Sequence, residues 1–131
     1  MSKPKTKPAR LIVAASEQDP DMLYATKFWA PDPFILLQRN GKRTLVLSDL
    51  EIDRARKQAD ADEFVMFSDV ERDLQGKSKK APSYEKVLAH FLKKRGVRSA
   101  TVPANFPLAY AEELAANKIR ERDQWIFLAR A

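Results

Sequence analysis

The side chains able to perform nucleophilic, acid–base or metal chemistry are few in this sequence. The chain has 131 residues, no cysteine and one histidine, His90. In a helix its neighbours would be Lys86, Lys93 and Lys94, which are cations rather than the converging ligands that a zinc site needs. No G-x-S-x-G segment is present, and the lack of cysteine excludes a thiol nucleophile. The sequence therefore favours a structural role for His90.

Phosphate loops and dinuclear metal sites are also poorly supported. The three glycines, Gly41, Gly76 and Gly96, each suit a turn or a helix end, and they form no phosphate-binding fingerprint. Carboxylates group at residues 60–63 and 69–73, on either side of a short apolar run. A two-metal nuclease needs carboxylates that converge from several strands, and grouping at turns favours a solvated surface instead.

Two adjacent aromatic residues open a proline-stiffened segment. Phe28 and Trp29 precede Ala30-Pro31-Asp32-Pro33, where regular structure is broken. Large aromatic side chains in such loops can serve as contact anchors. The alternative is that both rings cap the edge of the core.

Charge is unevenly placed along the chain, whose formal net charge is +6. Residues 1–15 carry Lys3, Lys5, Lys7 and Arg10 with no acid, and residues 83–100 carry five cations against Glu85 alone. These segments could contact nucleic acid or an acidic surface. A solvated tail, and cations placed favourably at a helix C-terminus, are the preferred explanation.

Length and hydropathy predict one folded domain. The hydrophobic fraction of 44% is ordinary for a globular protein, and residues 1–9 predict a disordered basic lead-in to a domain over 10–131. The apolar runs are too short to span a membrane or to form a signal peptide. The lack of cysteine suits a reducing compartment, so a cytoplasmic location is expected.

Alternating strand and helix signals predict an α/β fold. Residues 34–39 and 43–47 flank Asn40-Gly41, the strongest short signal for an antiparallel hairpin. Ser48 and Glu51 have capping-box spacing before a helix that runs to about residue 59. Residues 84–94 give the clearest amphipathic helix, capped by Ser83 and ended by Gly96. A further helix is expected after Asn105, with Leu108, Ala111, Leu114, Ala115 and Ile119 facing inward.

The expected architecture is a mixed sheet of about six strands with an antiparallel hairpin and helices on its faces. Other strands are predicted at residues 11–15, 64–67, 99–102 and 125–128, with a helical turn or two over 68–75. The core is predicted at residues 11–13, 35–37, 45–47, 64–67, 87–91 and 126–128.

Three segments then resemble the N-terminal domain of the creatinase/prolidase family, which includes Xaa-Pro aminopeptidases and Xaa-Pro dipeptidases. Residues 21–28, DMLYATKF, resemble its x-x-x-Y-x-T-G-F segment. The hairpin followed by Ser48-Asp49-Leu50-Glu51 resembles the hairpin that ends in D/S-x-x-E, and residues 96–108 resemble its G-x-x-x-x-x-V-P turn into a helix. Lys27 stands where the family usually has glycine, so strain at a positive φ is expected there.

The resemblance implies a ribonuclease-H-like fold and a role without catalysis. In that family a following domain binds two divalent metal ions through two Asp, one His and two Glu, and this chain alone is expected to lack peptidase activity and metal ligands. Its expected partners are a second copy, in a homodimer, and a catalytic domain C-terminal to it; no membrane is expected. The residues implied at the subunit contact or substrate rim are Phe28, Trp29, Pro31, Asp32 and Pro33.

Two functions from different classes remain open on the sequence. One is the non-catalytic domain of a proline-specific metallopeptidase. The other is a stand-alone basic module that binds nucleic acid or an acidic partner. Two observations disfavour the second function. The sequence has no recognised nucleic-acid motif, and most of its aromatic residues stand at core periodicity.

Overall fold

The computed structural model describes residues 9–121, which form six strands and five helices. In chain order they are β1 (Ala9–Ala14), α1 (Pro20–Thr26), β2 (Phe34–Arg39), β3 (Lys42–Leu47), α2 (Asp49–Gln58), β4 (Glu63–Met66), α3 (Phe67–Gln75), α4 (Tyr84–Lys94), β5 (Ser99–Thr101), α5 (Leu108–Ala116) and β6 (Arg120–Glu121). The basic lead-in predicted at residues 1–9 lies almost wholly outside the described residues, as does the strand predicted at 125–128.

The strands form one mixed sheet in the order β4-β3-β2-β1-β5-β6. β2 is antiparallel to both β1 and β3, whereas the β3–β4, β1–β5 and β5–β6 pairs are parallel. Five strands therefore share one direction. We call the side of the sheet where these five begin and β2 ends the amino edge, and the opposite side the carboxyl edge. The predicted mixed α/β sheet with helices on its faces is confirmed.

The hairpin between β2 and β3 is confirmed and has a local cause. Asn40 has φ 53° and Gly41 has φ 79°, the two positive values that a tight two-residue hairpin turn requires. The turn fixes the register, in which Arg39 pairs with Lys42 and Leu36 pairs with Leu45. This register places the apolar residues of the two strands side by side in the middle of the sheet.

Helices cover both faces of the sheet and divide the core into two clusters. One cluster joins α1 and α2 to the sheet through residues such as Met22, Phe28, Leu36 and Ile52. The other joins α4 and α5 to the opposite face and includes Phe91, with side chains of α3 packed against its margin. The core predicted at residues 11–13, 35–37 and 45–47 is confirmed, and in α4 all of 87–91 is buried except His90.

The core prediction at residues 64–67 is wrong, because β4 is an edge strand. Its four residues are only half-buried, and Phe67 already belongs to α3, which starts where the strand stops. The helical turns predicted over 68–75 are confirmed as α3, which is nine residues long and begins one residue earlier. The predicted core at 126–128 lies outside the described residues.

Two further expectations about helix faces and caps are corrected. Leu108 and Ala115 are exposed, whereas Leu114 and Ile119 are buried; α5 ends at Ala116, so Ile119 belongs to the turn after the helix and not to its inner face. Ser48 occupies the N-cap position of α2 but its side chain makes no capping hydrogen bond, and Glu51 pairs with Arg54 instead. The cap predicted at Ser83 is confirmed, since its hydroxyl accepts a hydrogen bond from the Lys86 amide at 3.3 Å.

Edge strand β4 is tied to α4 by a two-pronged ion pair. The guanidinium of Arg95 donates to both carboxylate oxygens of Glu63, at 2.7 and 2.8 Å, and the Thr44 hydroxyl donates to Glu63 at 3.1 Å. The hydrogen bonds from Arg95, above all, lower the pKa of Glu63 from 4.5 to about 2. Bidentate arginine–carboxylate pairs are among the stronger surface interactions.

Glu63→Gln is therefore expected to lower the free energy of unfolding at pH 7 by about 1 kcal/mol, a value reduced for solvent screening. The folded pKa lies below the unfolded one, so the stabilisation is present above pH 4.5 and is lost as the pH falls toward 2. Urea unfolding between pH 2 and 7 measures this, and the variant should show a shallower loss below pH 4.5. The exposed pair Arg43–Asp60 offers a control, since Asp60→Asn should change little. Equal acid sensitivity of Glu63→Gln and the parent chain would contradict the assignment.

Candidate contact site at the carboxyl edge

The segment at residues 28–33 connects α1 to β2 and brings its aromatic pair to different environments. Phe28 is fully buried, with its ring 5.9 Å from that of Phe34 and the guanidinium of Arg54 4.3 Å above it. Trp29 is 50% exposed, and the three residues after Ala30 are exposed as well. Phe28 is therefore a core residue, which corrects its expected place in a contact surface. The contact role of Trp29, Pro31, Asp32 and Pro33 stays a prediction.

Buried hydroxyl groups fix the backbone on both sides of Trp29. Ser16 Oγ donates to the carbonyl of Phe28 at 2.6 Å and accepts from the amide of Ala30 at 2.7 Å. Thr26 Oγ1 donates to the Met22 carbonyl at 2.8 Å and accepts from the Phe28 amide at 3.2 Å. These bonds satisfy backbone groups that would otherwise be buried without partners. The Trp29 side chain is thus presented outward from a fixed backbone.

The sequence did not predict these hydrogen bonds of Ser16 and Thr26 to the backbone around Trp29. Ser16 lies 12 residues from the carbonyl that it binds, so no local spacing signals the pair. Thr26 lies in the segment that resembles the family, but its position near the end of a helix does not predict which backbone amide will donate to its hydroxyl.

Lys27 adopts the conformation that was expected to be strained for lysine. Its φ is 56° and its ψ is 25°, the left-handed region, and its amide donates to the Leu23 carbonyl at 2.8 Å to end α1. A non-glycine residue there loses roughly 1–2 kcal/mol relative to right-handed backbone. The Lys27 ammonium lies 4.8 Å from the centre of the Tyr24 ring, a cation–π contact that offsets part of this loss.

The carboxyl edge around this segment is acidic with exposed apolar residues. The chain segments at this edge are residues 15–21, 29–33, 48–50, 67–69 and 102–108. They contain no lysine or arginine and carry six acids: Glu17, Asp19, Asp21, Asp32, Asp49 and Asp69. Leu50 is 92% exposed and Leu108 is 72% exposed, on helices that start at this edge. We call these segments, with Trp29, Leu50 and Leu108, the carboxyl-edge surface.

The carboxylates of the described residues do not assemble a metal centre. Within residues 9–121 no group of three or more His, Cys, Asp or Glu side chains lies close enough together to hold a metal ion. Asp49 accepts a hydrogen bond from Ser68 at 2.7 Å, which links α2 to α3, and Asp19 accepts one from Asn105 at 3.4 Å, which links two loops. The donor set of this part of the chain does not fit the two metal ions of the resembled family.

His90 links two helices rather than lining a site. Its Nε2 lies 2.6 Å from Asp73 Oδ2, and the Lys94 ammonium lies 3.5 Å from the same oxygen. The hydrogen bond with His90 is the main cause that lowers the pKa of Asp73. The structure thus gives His90 a partner on α3, in agreement with the structural role favoured by the sequence.

The chain matches known proteins in structure but not in sequence. No protein-family model matches the chain, and no curated protein matches it. Solved structures do match. The prolidase of Pyrococcus horikoshii OT3 superposes with a TM-score of 0.60 and 18% identity over 88% of this chain and 28% of its own.

The chain has the fold found in Xaa-Pro peptidases. The Xaa-Pro dipeptidase of Bacillus anthracis matches 92% of this chain and 29% of its own, with a TM-score of 0.63 and 13% identity. A proline dipeptidase structure from Streptococcus agalactiae 2603V matches 95% of this chain and 86% of its own, with a TM-score of 0.57 and 12% identity. The chain thus spans under a third of the first two proteins, which confirms the resemblance at the level of the fold of one domain.

The helices give no sign of a membrane span. Among residues 9–121, none is both long enough and apolar enough to cross a bilayer.

Proposed function

We propose that this chain is the non-catalytic N-terminal domain of a proline-specific, cytoplasmic metallopeptidase, and that it supplies subunit contacts in a dimer and covers part of the substrate site. The observation that carries the proposal is the fold match, which takes in 88% of this chain but 28% of the Pyrococcus horikoshii prolidase. A domain of this size, with a core of its own, leaves room in such a protein for a separate catalytic domain.

Metal chemistry is assigned to that catalytic domain, not to this chain. The two divalent ions implied by the resemblance would need five carboxylate and imidazole ligands. The described residues contain no cluster of three. To residues 9–121 we therefore assign subunit contacts in the dimer and coverage of part of the substrate site.

The contact is assigned to the carboxyl-edge surface, with Trp29 as its anchor. Half of the Trp29 side chain is exposed, although its backbone is fixed on both sides by buried hydrogen bonds. Pro31 and Pro33 further restrict the segment, so little conformational entropy is lost when it docks. Exposed tryptophan on a rigid frame is typical of residues that dominate binding energy at interfaces.

The test uses the product of the complete reading frame that contains these residues. It is assayed for cleavage of an Xaa-Pro dipeptide with added divalent metal and with a chelator. In Trp29→Ala we expect the dimer dissociation constant or the KM to rise about tenfold or more, as for an interface anchor. Tyr24→Ala is the matched control, because Tyr24 is a 59% exposed aromatic residue on α1, outside the 28–33 segment.

Two results would overturn the proposal. One is a complete product that cleaves no Xaa-Pro peptide with any divalent metal. The other is a Trp29→Ala product whose KM and dimer dissociation constant match those of Tyr24→Ala. Unfolding of both variants is followed in parallel, so that lost contact is distinguished from lost stability.

A further inference from the structure

Arg10, which ends the first basic run of the sequence, lies at the amino edge of the sheet beside the strand that follows the second basic run. Ala9 pairs with Ala100 and Arg10 pairs with Thr101, so the start of β1 lies beside β5. The basic last turn of α4 leads into the same strand through Gly96 and Arg98. Cations that are some 85 residues apart in sequence are thereby brought to one surface.

A cavity of about 460 Å³ opens on this surface between the ends of α4 and α5. Its lining includes three cations, Lys93, Arg98 and Lys118, together with the amide of Asn117 and the backbone at Gly96. No carboxylate and no aromatic ring is among its described lining residues. We call Lys93, Arg98 and Lys118 the basic cavity cluster.

Among the side chains that the structure describes, residues 9–120, the three cations of the cluster differ from others nearby in having no neutralising partner. Arg95 and Lys42 pair with Glu63, and Lys94 pairs with Asp73. No carboxylate of residues 9–120 lies within ion-pair distance of a member of the basic cavity cluster. The negative ends of the helix dipoles account for Lys93, in the last turn of α4, and for Lys118, whose amide donates to the Ala115 carbonyl at the end of α5, but not for Arg98, which lies beyond α4.

Charge is also separated along the strand direction. The carboxyl-edge surface carries six acids and no lysine or arginine, whereas the basic cavity cluster stands at the amino edge. A polyanion would be repelled from one edge and attracted to the other, so it would meet the domain in one orientation. The repeated phosphates of a nucleic acid match several unpaired cations held at fixed positions.

We propose that the amino edge binds nucleic acid through its backbone phosphates, with the basic cavity cluster as the main contact. The described lining residues are cations, small residues and aliphatic side chains, which suit phosphate contacts rather than base stacking, so we expect binding that is independent of base sequence. This activity is separate from the proposed peptidase role, since it uses the opposite edge from Trp29.

The experiment measures fluorescence anisotropy of a labelled 20-nucleotide single-stranded DNA, titrated with the chain between 50 and 200 mM NaCl. Three phosphate contacts predict a slope of log K against log salt of about −2 or steeper. The test variant is Lys93→Gln/Arg98→Gln/Lys118→Gln, which should bind about tenfold or more weakly at 50 mM NaCl with a slope nearer zero. The control is Lys77→Gln/Lys79→Gln/Lys80→Gln, three exposed lysines of the loop after α3, which gives the same net charge.

A second variant tests the lead-in separately by removing residues 1–8, which contain Lys3, Lys5 and Lys7. Retained binding with a shallower salt slope supports the proposal. Four results overturn it: no binding by the parent chain at 50 mM NaCl, equal losses in the two triple variants, complete loss on removing residues 1–8, or binding to anionic lipid vesicles without binding to DNA. Circular dichroism of each variant checks that the fold is intact.

Discussion

Phe28→Ala is expected to lower the free energy of unfolding by about 3–5 kcal/mol, whereas Trp29→Ala should change it by less than about 1 kcal/mol. The two residues are adjacent, but Phe28 is fully buried against Phe34 and Trp29 is half-exposed. Removing the Phe28 ring leaves a cavity between α1, α2 and the sheet, and it also removes the surface on which the guanidinium of Arg54 rests. The Trp29 ring is already half in contact with solvent, so its removal leaves no enclosed cavity.

Urea unfolding of the two variants, followed by circular dichroism, measures this contrast. Tryptophan fluorescence is avoided as the probe because one variant lacks Trp29. A loss of several kcal/mol in Trp29→Ala would mean that its ring belongs to the core and cannot be the contact anchor. A small loss in Phe28→Ala would contradict the packing of the segment.

The sequence placed both rings of this pair in a contact surface, whereas the structure exposes Trp29 and buries Phe28. Adjacent residues in an irregular segment have no periodicity, so neither the helical nor the strand pattern assigns them a face. The choice depends on hydrogen bonds from Ser16 and Thr26, whose hydroxyls hold the Phe28 backbone. The Thr26 bond is local, but the Ser16 bond joins residues 12 apart in sequence and becomes visible only once the strands are placed.

Elements with local causes were predictable. The Asn40-Gly41 turn supplies its own positive φ angles, and α4 has both its cap at Ser83 and its apolar face within 12 residues. The partial burial of β4 was not predictable in the same way, because apolar residues such as Phe64 and Val65 occur both in central strands and in edge strands. Strand order, which decides this, depends on the pairing of β3 with β4.

The two candidate surfaces differ in how much of each the sequence revealed. The basic runs of the sequence include Arg10 and Arg98, but only the parallel pairing of β1 with β5 brings these two parts of the chain together. Lys118 was not part of either basic run, and only the turn after α5 brings it into the cavity lining. The acids of the carboxyl edge are scattered in sequence, so no run marked them.

Phe91→Ala should likewise lower the free energy of unfolding by about 3–5 kcal/mol, because the ring is buried in the cluster that joins α4 and α5 to the sheet. The Arg95 guanidinium lies 5.1 Å from the ring centre, so the substitution also removes a cation–π contact at the end of the helix. Phe64→Ala is the matched control, since it deletes the same side chain from a half-buried position on edge strand β4.

The loss in Phe64→Ala is expected to be about half as large or less, in proportion to the apolar area that each ring buries. Chemical denaturation of both variants, with the slope of free energy against denaturant held common, gives the comparison. A loss below about 1 kcal/mol in Phe91→Ala would place this ring outside the core. Equal losses in the two variants would show that Phe64 is as well covered as Phe91, and that a further segment of chain or a partner packs over strand β4.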